Sequence, residues 1–400
     1  MIKAILLDLD DTLITANSES FFPEYVALMA RRLSVLAAEE TALSALRSGV
    51  RAAGTDLDPL KTTEEVFMTA FAEMVTRPRE EIQAAFETFF TTDLPTLRGR
   101  VSARQKAIQL LDWLFAHDYT VVVATNPVTP ETAIHQRMAW GQIPIGRYPF
   151  ALITTLETMH FTKPNPHYYE EILARTGARP EETLMVGDHW EWDIEGAVNA
   201  GLNTFWVTDG QASPDRPEGE ADGQGTFDTF VDLVFSGWLA TLEPLCRTQD
   251  ALLSQLAAMP AAIDTLLRTY SKDVIEQHPG EDEWSVVDAI SHLRCHELTE
   301  DRPWLERILA EENPFISATH SQQTREPRPK APHEELQAFA ELRAETVAWL
   351  KTLPGEAWQR RARHSIFGPT CFKEMIGFMG EHGRTHLRQM HVAIEDIRRR

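Results

Sequence analysis

The sequence predicts two folding units: an α/β domain on a parallel sheet with an all-helical insert after its first strand, then an all-α domain. Three observations lead there. Short apolar runs alternate with helical stretches up to about residue 240, the pattern of a parallel sheet with right-handed crossovers. Between the first run and the second, residues 18–98 show apolar positions every three or four residues and no strand pattern, which reads as amphipathic helix. Beyond about residue 250 strand patterning stops, and four long helical stretches remain, enough for a helical bundle.

Residues 2–8 form the first strand, its apolar run AILL buried on both faces. The insert, 17–98, reads as a lid made from FFPEYVALMARRLSVLA, TEEVFMTAFAEMV and PREEIQAAFETFF, with Pro23 and Pro78 near helix starts. A helix over 102–116 precedes strands at 120–125 (TVVVAT) and 150–154 (FALIT). A helix over 167–176 leads into a strand at 183–187 (TLMVG). A helix over 193–200 is stopped by Gly201 before the strand at 203–207 (NTFWV). Residues 209–226, rich in Gly, Pro and acid, read as a loop, and 227–239 as a last helix. With a linker near 243–250, the domains are 1–243 (core 1–16 and 99–243, cap 17–98) and 244–400. In the second, helices are expected near 250–277, 284–311, 333–353 and 370–399, with a long irregular connection at 312–332.

Composition excludes several functions. A formal charge of −22 from 38 basic and 60 acidic residues argues against nucleic acid or anionic lipid as a partner. It leaves room for a small phosphorylated metabolite, because a bound cation inverts the local field. The three cysteines, Cys246, Cys295 and Cys371, form neither a CxxC pair nor a disulfide framework. With no basic-then-apolar leader and no apolar run of spanning length, the expected location is cytoplasmic.

The chemistry sits at strand ends. The first strand runs into Asp8, Asp10 and Asp11; the second ends at Thr125 and Asn126; the fourth ends at Asp188, with Asp193 five residues on; Lys163 lies in FTKPNP before the next helix. In a parallel sheet these carboxyl ends converge. Crowded carboxylates need a cation or a proton. Together the residues supply a carboxylate nucleophile, an acid/base, a hydroxyl, an ammonium and oxygen ligands for Mg²⁺, the parts of phosphoryl transfer. Asp11 is expected to cap the following turn, and His189, Trp190 and Trp192 to pack locally. Asn126 is either a ligand contact or a turn residue.

The pieces DLDDT (8–12), VVVAT (121–125), Lys163 in KPNP and GDHWEWD (187–193) resemble, in order, the haloacid dehalogenase superfamily of phosphohydrolases over residues 1 to about 240. The resemblance implies a Rossmann-like sheet with a helical cap and assigns roles. Asp8 forms an aspartyl-phosphate. Asp10 protonates the leaving group and then activates water. Thr125 and Lys163 hold the phosphate. Asp8, the Asp10 carbonyl and Asp188 bind Mg²⁺, with Asp193 beside or among the ligands. Dehalogenating members lack a carboxylate at the position of Asp10, so its presence favours phosphate-ester hydrolysis. A catalytically silent hydrolase fold used for binding or regulation is the alternative.

In the last helix Met375, Met379, His382, His386 and Met390 share one stripe. Histidines four apart can share a metal. A third could come from His292 or His296, which periodicity does not separate. Trp284–Ser285, His292–Leu293, His382, His386 and Gln389 resemble the DinB-like four-helix bundle family over about 250–395. That resemblance implies a divalent metal, Zn²⁺ or Ni²⁺, on His292, His382 and His386, with an open position for water or substrate. Some relatives resemble thiol-dependent transferases, so a metal- and thiol-dependent transferase activity in the bundle is a second alternative, and a structural bundle with buried, hydrogen-bonded histidines a third. The bundle could also carry a homodimer contact. His333 and His364 have no motif context and are expected at the surface.

Overall fold

The computed structural model describes residues 1–16, 18–209, 221–318 and 331–399. The chain divides into two compact units, Met1–Cys246 and Arg247–Arg400.

The first unit opens with β1 (Ala4–Leu7) and β2 (Ile14–Thr15), followed by α1 (Ser18–Leu33), α2 (Glu39–Thr55), α3 (Thr63–Val75) and α4 (Arg79–Thr88). Then come β3 (Ser102–Ala103), α5 (Gln105–Ala116), β4 (Thr120–Val123), α6 (Glu131–Trp140), β5 (Leu152–Ile153), α7 (Pro166–Thr176) and β6 (Thr183–Gly187). The unit closes with α8 (Gly196–Asn199), β7 (Asn203–Val207), β8 (Gly223–Gly225) and α9 (Phe227–Phe235). Six strands form one parallel sheet in the order β5-β4-β1-β6-β7-β8. This is the expected α/β core. β1 is central and its Ile5, Leu6 and Leu7 are fully buried, as strands covered on both faces must be. Its register sets Leu7 beside both Val123 of β4 and Val186 of β6. The residues that follow those three strands therefore emerge side by side.

The helical insert α1–α4 lies between β2 and β3, which pair antiparallel, so the chain leaves and re-enters the core through one two-stranded ribbon. Aromatic packing fills the cap: Tyr25 meets Phe89 edge-on with ring centroids 5.2 Å apart, and Phe67 stacks on Phe71 at 6.0 Å. α2 is a helix that the apolar periodicity did not single out. It buries Ala42, Ala45, Leu46, Gly49 and Ala53, a face of mostly small residues. A Cβ on Gly49 would stand 2.6 Å from the Phe67 ring, so this close packing requires glycine.

Several boundaries differ from expectation. Pro23 lies inside α1 rather than at its start. β8 falls in the stretch expected to be a loop, of which 210–220 lie outside the described residues; it pairs with β7 through backbone alone. α6 was not anticipated. The helix expected over 193–200 begins as a wide π-type turn, Trp190–Glu195, before α8.

The second unit holds α10 (Gln249–Thr269), α11 (Lys272–Glu276), α12 (Val286–His296), α13 (Arg302–Ala310), β9 (Phe315–Ile316) and α14 (Pro332–Lys351). β10 (Arg361–His364), β11 (Gly368–Cys371) and α15 (Phe372–Arg399) complete it. α10 and α12 each pack against both α14 and α15, the four-helix arrangement expected. A π-type turn, Glu297–Asp301, separates α12 from α13 where one helix was expected. The expectation of no strands here is corrected: β9, β10 and β11 form a three-stranded sheet. β10 places His364 inside, at 3% exposure, which overturns its reading as a surface residue. Of the connection 312–332, residues 319–330 lie outside the described residues.

Candidate active site and candidate metal centre

The corner where β1, β4 and β6 end gathers the carboxylates. The Asp8 amide donates to the Val186 carbonyl at 2.9 Å, fixing the first loop beside β6. Lys163 Nζ donates to Asp8 Oδ1 at 2.7 Å and to Asp193 Oδ1 at 2.5 Å. Asp193 reaches this point because the π-type turn folds it back: its amide donates to the His189 carbonyl at 2.8 Å, and its Oδ2 accepts from the His189 amide at 3.0 Å. A Cβ at Gly187 would overlap the Asp193 carboxylate. The glycine of the GDHWEWD segment is thus a condition for the carboxylate's position. Oxygens of Asp8, Asp188 and Asp193 lie within 4.8 Å of one another.

The charge balance of this corner is poor. Burial pushes the Asp8 carboxyl up to about 6 against the pull of Lys163. Burial, then Asp8 and Asp193, push Asp188 up to about 9. Three carboxylates share one ammonium, and a hard cation with oxygen ligands fits the donor set.

Asp10 has a cation of its own. Its Oδ2 accepts from Arg137 Nη1, and Arg137, only 2% exposed, is braced by Thr129 Oγ1 at 3.1 Å and the Ala133 carbonyl at 3.4 Å. Burial raises the Asp10 carboxyl and Arg137 opposes that rise. Arg137 is the residue that sequence reading missed; the only signal for it was the surplus of negative charge. Thr125 is buried, and its carbonyl accepts from the hydroxyls of Thr154 (2.6 Å) and Tyr168 (2.9 Å), which pins the loop after β4. Asp10 Oδ1, Thr12 Oγ1 and Asn126 Oδ1 are buried without a hydrogen-bond partner among the described residues. Such atoms call for a ligand or ordered water. Asp11 accepts from the Ala16 amide at 3.0 Å, as a turn cap does. His189 stacks on Trp192 at 4.1 Å and Trp190 meets Trp206 at 5.0 Å, both local contacts.

In the second unit, His382 Nε2 lies 2.9 Å from His386 Nε2 and 3.3 Å from His292 Nε2. His386 Nδ1 pairs with Gln389 Oε1 at 2.9 Å, and the Trp284 ring stacks on His386 at 5.5 Å. Burial, with the neighbouring imidazoles, holds His292 down to about 4 and His382 down to about 2. Neutral imidazoles converging on one point are ready metal donors. His296 forms a second group of donors that shares His382: atoms of His296, Asp301 and His382 also lie within 4.8 Å of one another. Its Nδ1 lies 3.0 Å from Asp301 Oδ2 and its Nε2 3.6 Å from Glu300 Oε2. The π-type turn supplies both acids, a feature periodicity could not reveal. Burial opposes a charge on His296, and Asp301 with Glu300 and Glu297 together outweigh it.

The sequence profile of the haloacid dehalogenase-like hydrolases matches residues 2–201. The chain belongs to this family. The hydrolase is 27% identical over 224 residues to the glyceraldehyde 3-phosphate phosphatase of Methanothermobacter thermautotrophicus, covering 56% of this chain and 93% of that one. It is 28% identical over 251 residues to the phosphoserine phosphatase of Thermus thermophilus, covering 55% and 94%. The DinB superfamily profile matches residues 255–390 of the hydrolase. Bacillus subtilis YuaE is 24% identical over 147 residues, covering 33% of this chain and 91% of YuaE. No helix of the described residues is long and apolar enough to cross a membrane.

The depressed imidazoles have a consequence for stability. In the metal-free hydrolase, His292 titrates near 4 when folded and near 6.5 when unfolded. Between those values the unfolded chain binds protons that the folded bundle refuses, so stability falls as pH falls through that window. Amide exchange of α12 and α15 in chelator, corrected for intrinsic rates, should show protection lost from pH 6.5 toward 4. Unchanged protection would remove the convergence of neutral histidines.

Proposed function

We propose that the first unit hydrolyses a phosphate monoester of a small metabolite, with Mg²⁺, through an aspartyl-phosphate on Asp8. The observation that carries this reading is the set of three carboxylates around Lys163, with Asp10 held apart by Arg137. Asp8, Asp188 and the Asp10 carbonyl, with Asp193 beside them, would hold the Mg²⁺. Bound there, it would neutralise charge on the phosphate oxygens and act as a Lewis acid.

The chain's own groups do the rest. The Asp8 carboxylate attacks phosphorus as the ester P–O bond breaks, and Asp10 gives its proton to the departing oxygen. Asp10, now a carboxylate, takes a proton from water; the water oxygen bonds to phosphorus, the Asp8–phosphorus bond breaks, and inorganic phosphate leaves. Lys163, the Thr125 hydroxyl and Asn126 hold the phosphate oxygens. The phosphatase names of both relatives support the ester class. The test is phosphate release from a broad panel of phosphorylated metabolites with the full chain. Turnover that requires Mg²⁺ and stops in chelator is the expected result; no turnover across the panel would overturn the reading.

In the second unit we infer a divalent metal, Zn²⁺ or Ni²⁺, on His292, His382 and His386. Bound there, it supplies a Lewis acid with room for a further ligand. Gln389 orients His386 through Nδ1, and such partners of metal-bound imidazoles fix the donor nitrogen. His382 lies between the other two, so His382→Ala should lower metal retained after dialysis by about 10-fold or more. Metal analysis of the full chain checks this; unchanged content would remove the three-histidine site.

A further inference from the structure

Within the first unit, the cap helices and the loops after β4 and β5 line a half-open cavity of about 1050 Å³. Its walls are largely apolar, with Phe22, Val26, Met29, Phe67, Phe86 and Phe90 among them. Two links join it to the reacting corner. Val128 and Pro130 line it and continue the loop that carries Thr125 and Asn126. Phe22 lines it with its ring 5.8 Å from the Arg137 guanidinium, which in turn bonds to Asp10.

We propose that this cavity receives the alcohol part of the substrate, and that the alcohol is bulky and apolar, aromatic or branched aliphatic. The proposal rests on the phosphatase reading to set the phosphate at Asp8. The volume is at the upper end of small-molecule sites, which run to about 1,000 Å³. A short polar alcohol would leave most of the aromatic wall in contact with water. Of the three acids that line the cavity, Glu157 already accepts from the Glu131 amide at 3.0 and 2.9 Å, Glu87 is exposed at the edge and Glu64 is half-buried. Arg47 and Arg51 line it too, but both are exposed on α2, where they form a polar rim rather than an inner wall. An apolar body removes water from both surfaces at once.

The test compares two phosphonates and two esters on the full chain with Mg²⁺. Calorimetry should find 1-naphthylmethylphosphonate bound at least about 30-fold more tightly than methylphosphonate, with the more negative heat-capacity change. The kcat/KM for 1-naphthyl phosphate should exceed that for methyl phosphate. Val50→Trp, at a lining position 42% exposed, narrows the cavity. It should erase most of the preference while leaving methylphosphonate binding in place, which also reports that the variant is folded. Equal binding of the two phosphonates, or a preference untouched by Val50→Trp, would overturn the proposal even with both esters turning over. A binding preference with no turnover of any ester across the metabolite panel would overturn the phosphatase reading, leaving the cavity an apolar binding site that holds no leaving alcohol.

Discussion

Asp8→Asn lowers phosphate-ester turnover by at least about 10⁴-fold, because an amide oxygen is no nucleophile at phosphorus. The substitution keeps the shape of the side chain. It removes one of three crowded negative charges, so the fold gains relief from repulsion even as Lys163 loses one of its two charged partners. Activity and stability should therefore part company: turnover vanishes while thermal unfolding moves little. Phosphate release from an aryl phosphate measures the first, and an acid-quenched phosphoprotein, present in the parent and absent in the variant, ties the loss to the covalent step. Asp11→Asn is the control. Asp11 has φ 56°, a left-handed conformation that Asn also adopts readily, and its side chain caps the Ala16 amide rather than facing Lys163. Turnover of Asp11→Asn should stay near the parent's. An active Asp8→Asn would remove the nucleophile.

Where the sequence was legible, burial wrote itself into a local run. β1, β4, β6 and β7 are each buried along nearly their whole length, and strands covered on both faces read as near-continuous apolar runs. The acids that follow them were legible for the same reason, since charge directly after such a run has no packing role. β8 was not legible. Its sequence, Gly-Gln-Gly, has no apolar residue, and its place follows from space: a Cβ on Gly223 would come within 2.7 Å of the Phe205 ring and 2.9 Å of Trp238. The strands around His364 hid likewise, because RARH has a single apolar residue, although its burial alternates strictly, and GPTC carries Gly and Pro. α2 hid because its buried face is mostly alanine and glycine, with few of the large apolar side chains that mark the neighbouring α3. In the bundle, His292, His382 and His386 were separable from His296 only through the resemblance. The turn that gives His296 its acids at 300 and 301 is a break in helical phase, invisible to a count of helical positions.

Arg137 was the deepest omission, and it carries the second large effect. It stands 127 residues from Asp10 in sequence, on a helix with no strong apolar face. Nothing local marks it. Arg137→Met should destabilise the first unit by about 3–5 kcal/mol, the usual penalty for leaving a buried charge without its partner. It should also lower kcat by about 10²–10⁴, the range of a general acid/base, with KM little changed, because Asp10 is then no longer held in position. A stability loss alone could lower apparent activity by unfolding, so the single variant is not decisive. The double variant Asp10→Asn with Arg137→Met is. It replaces a buried ion pair with groups that carry no charge, which often returns stability close to the parent's. Denaturant unfolding should therefore recover most of the loss while turnover stays low. Recovery of both would make the pair purely structural; recovery of neither would mean that Arg137 stabilises the fold through Thr129 and Phe22 rather than through Asp10.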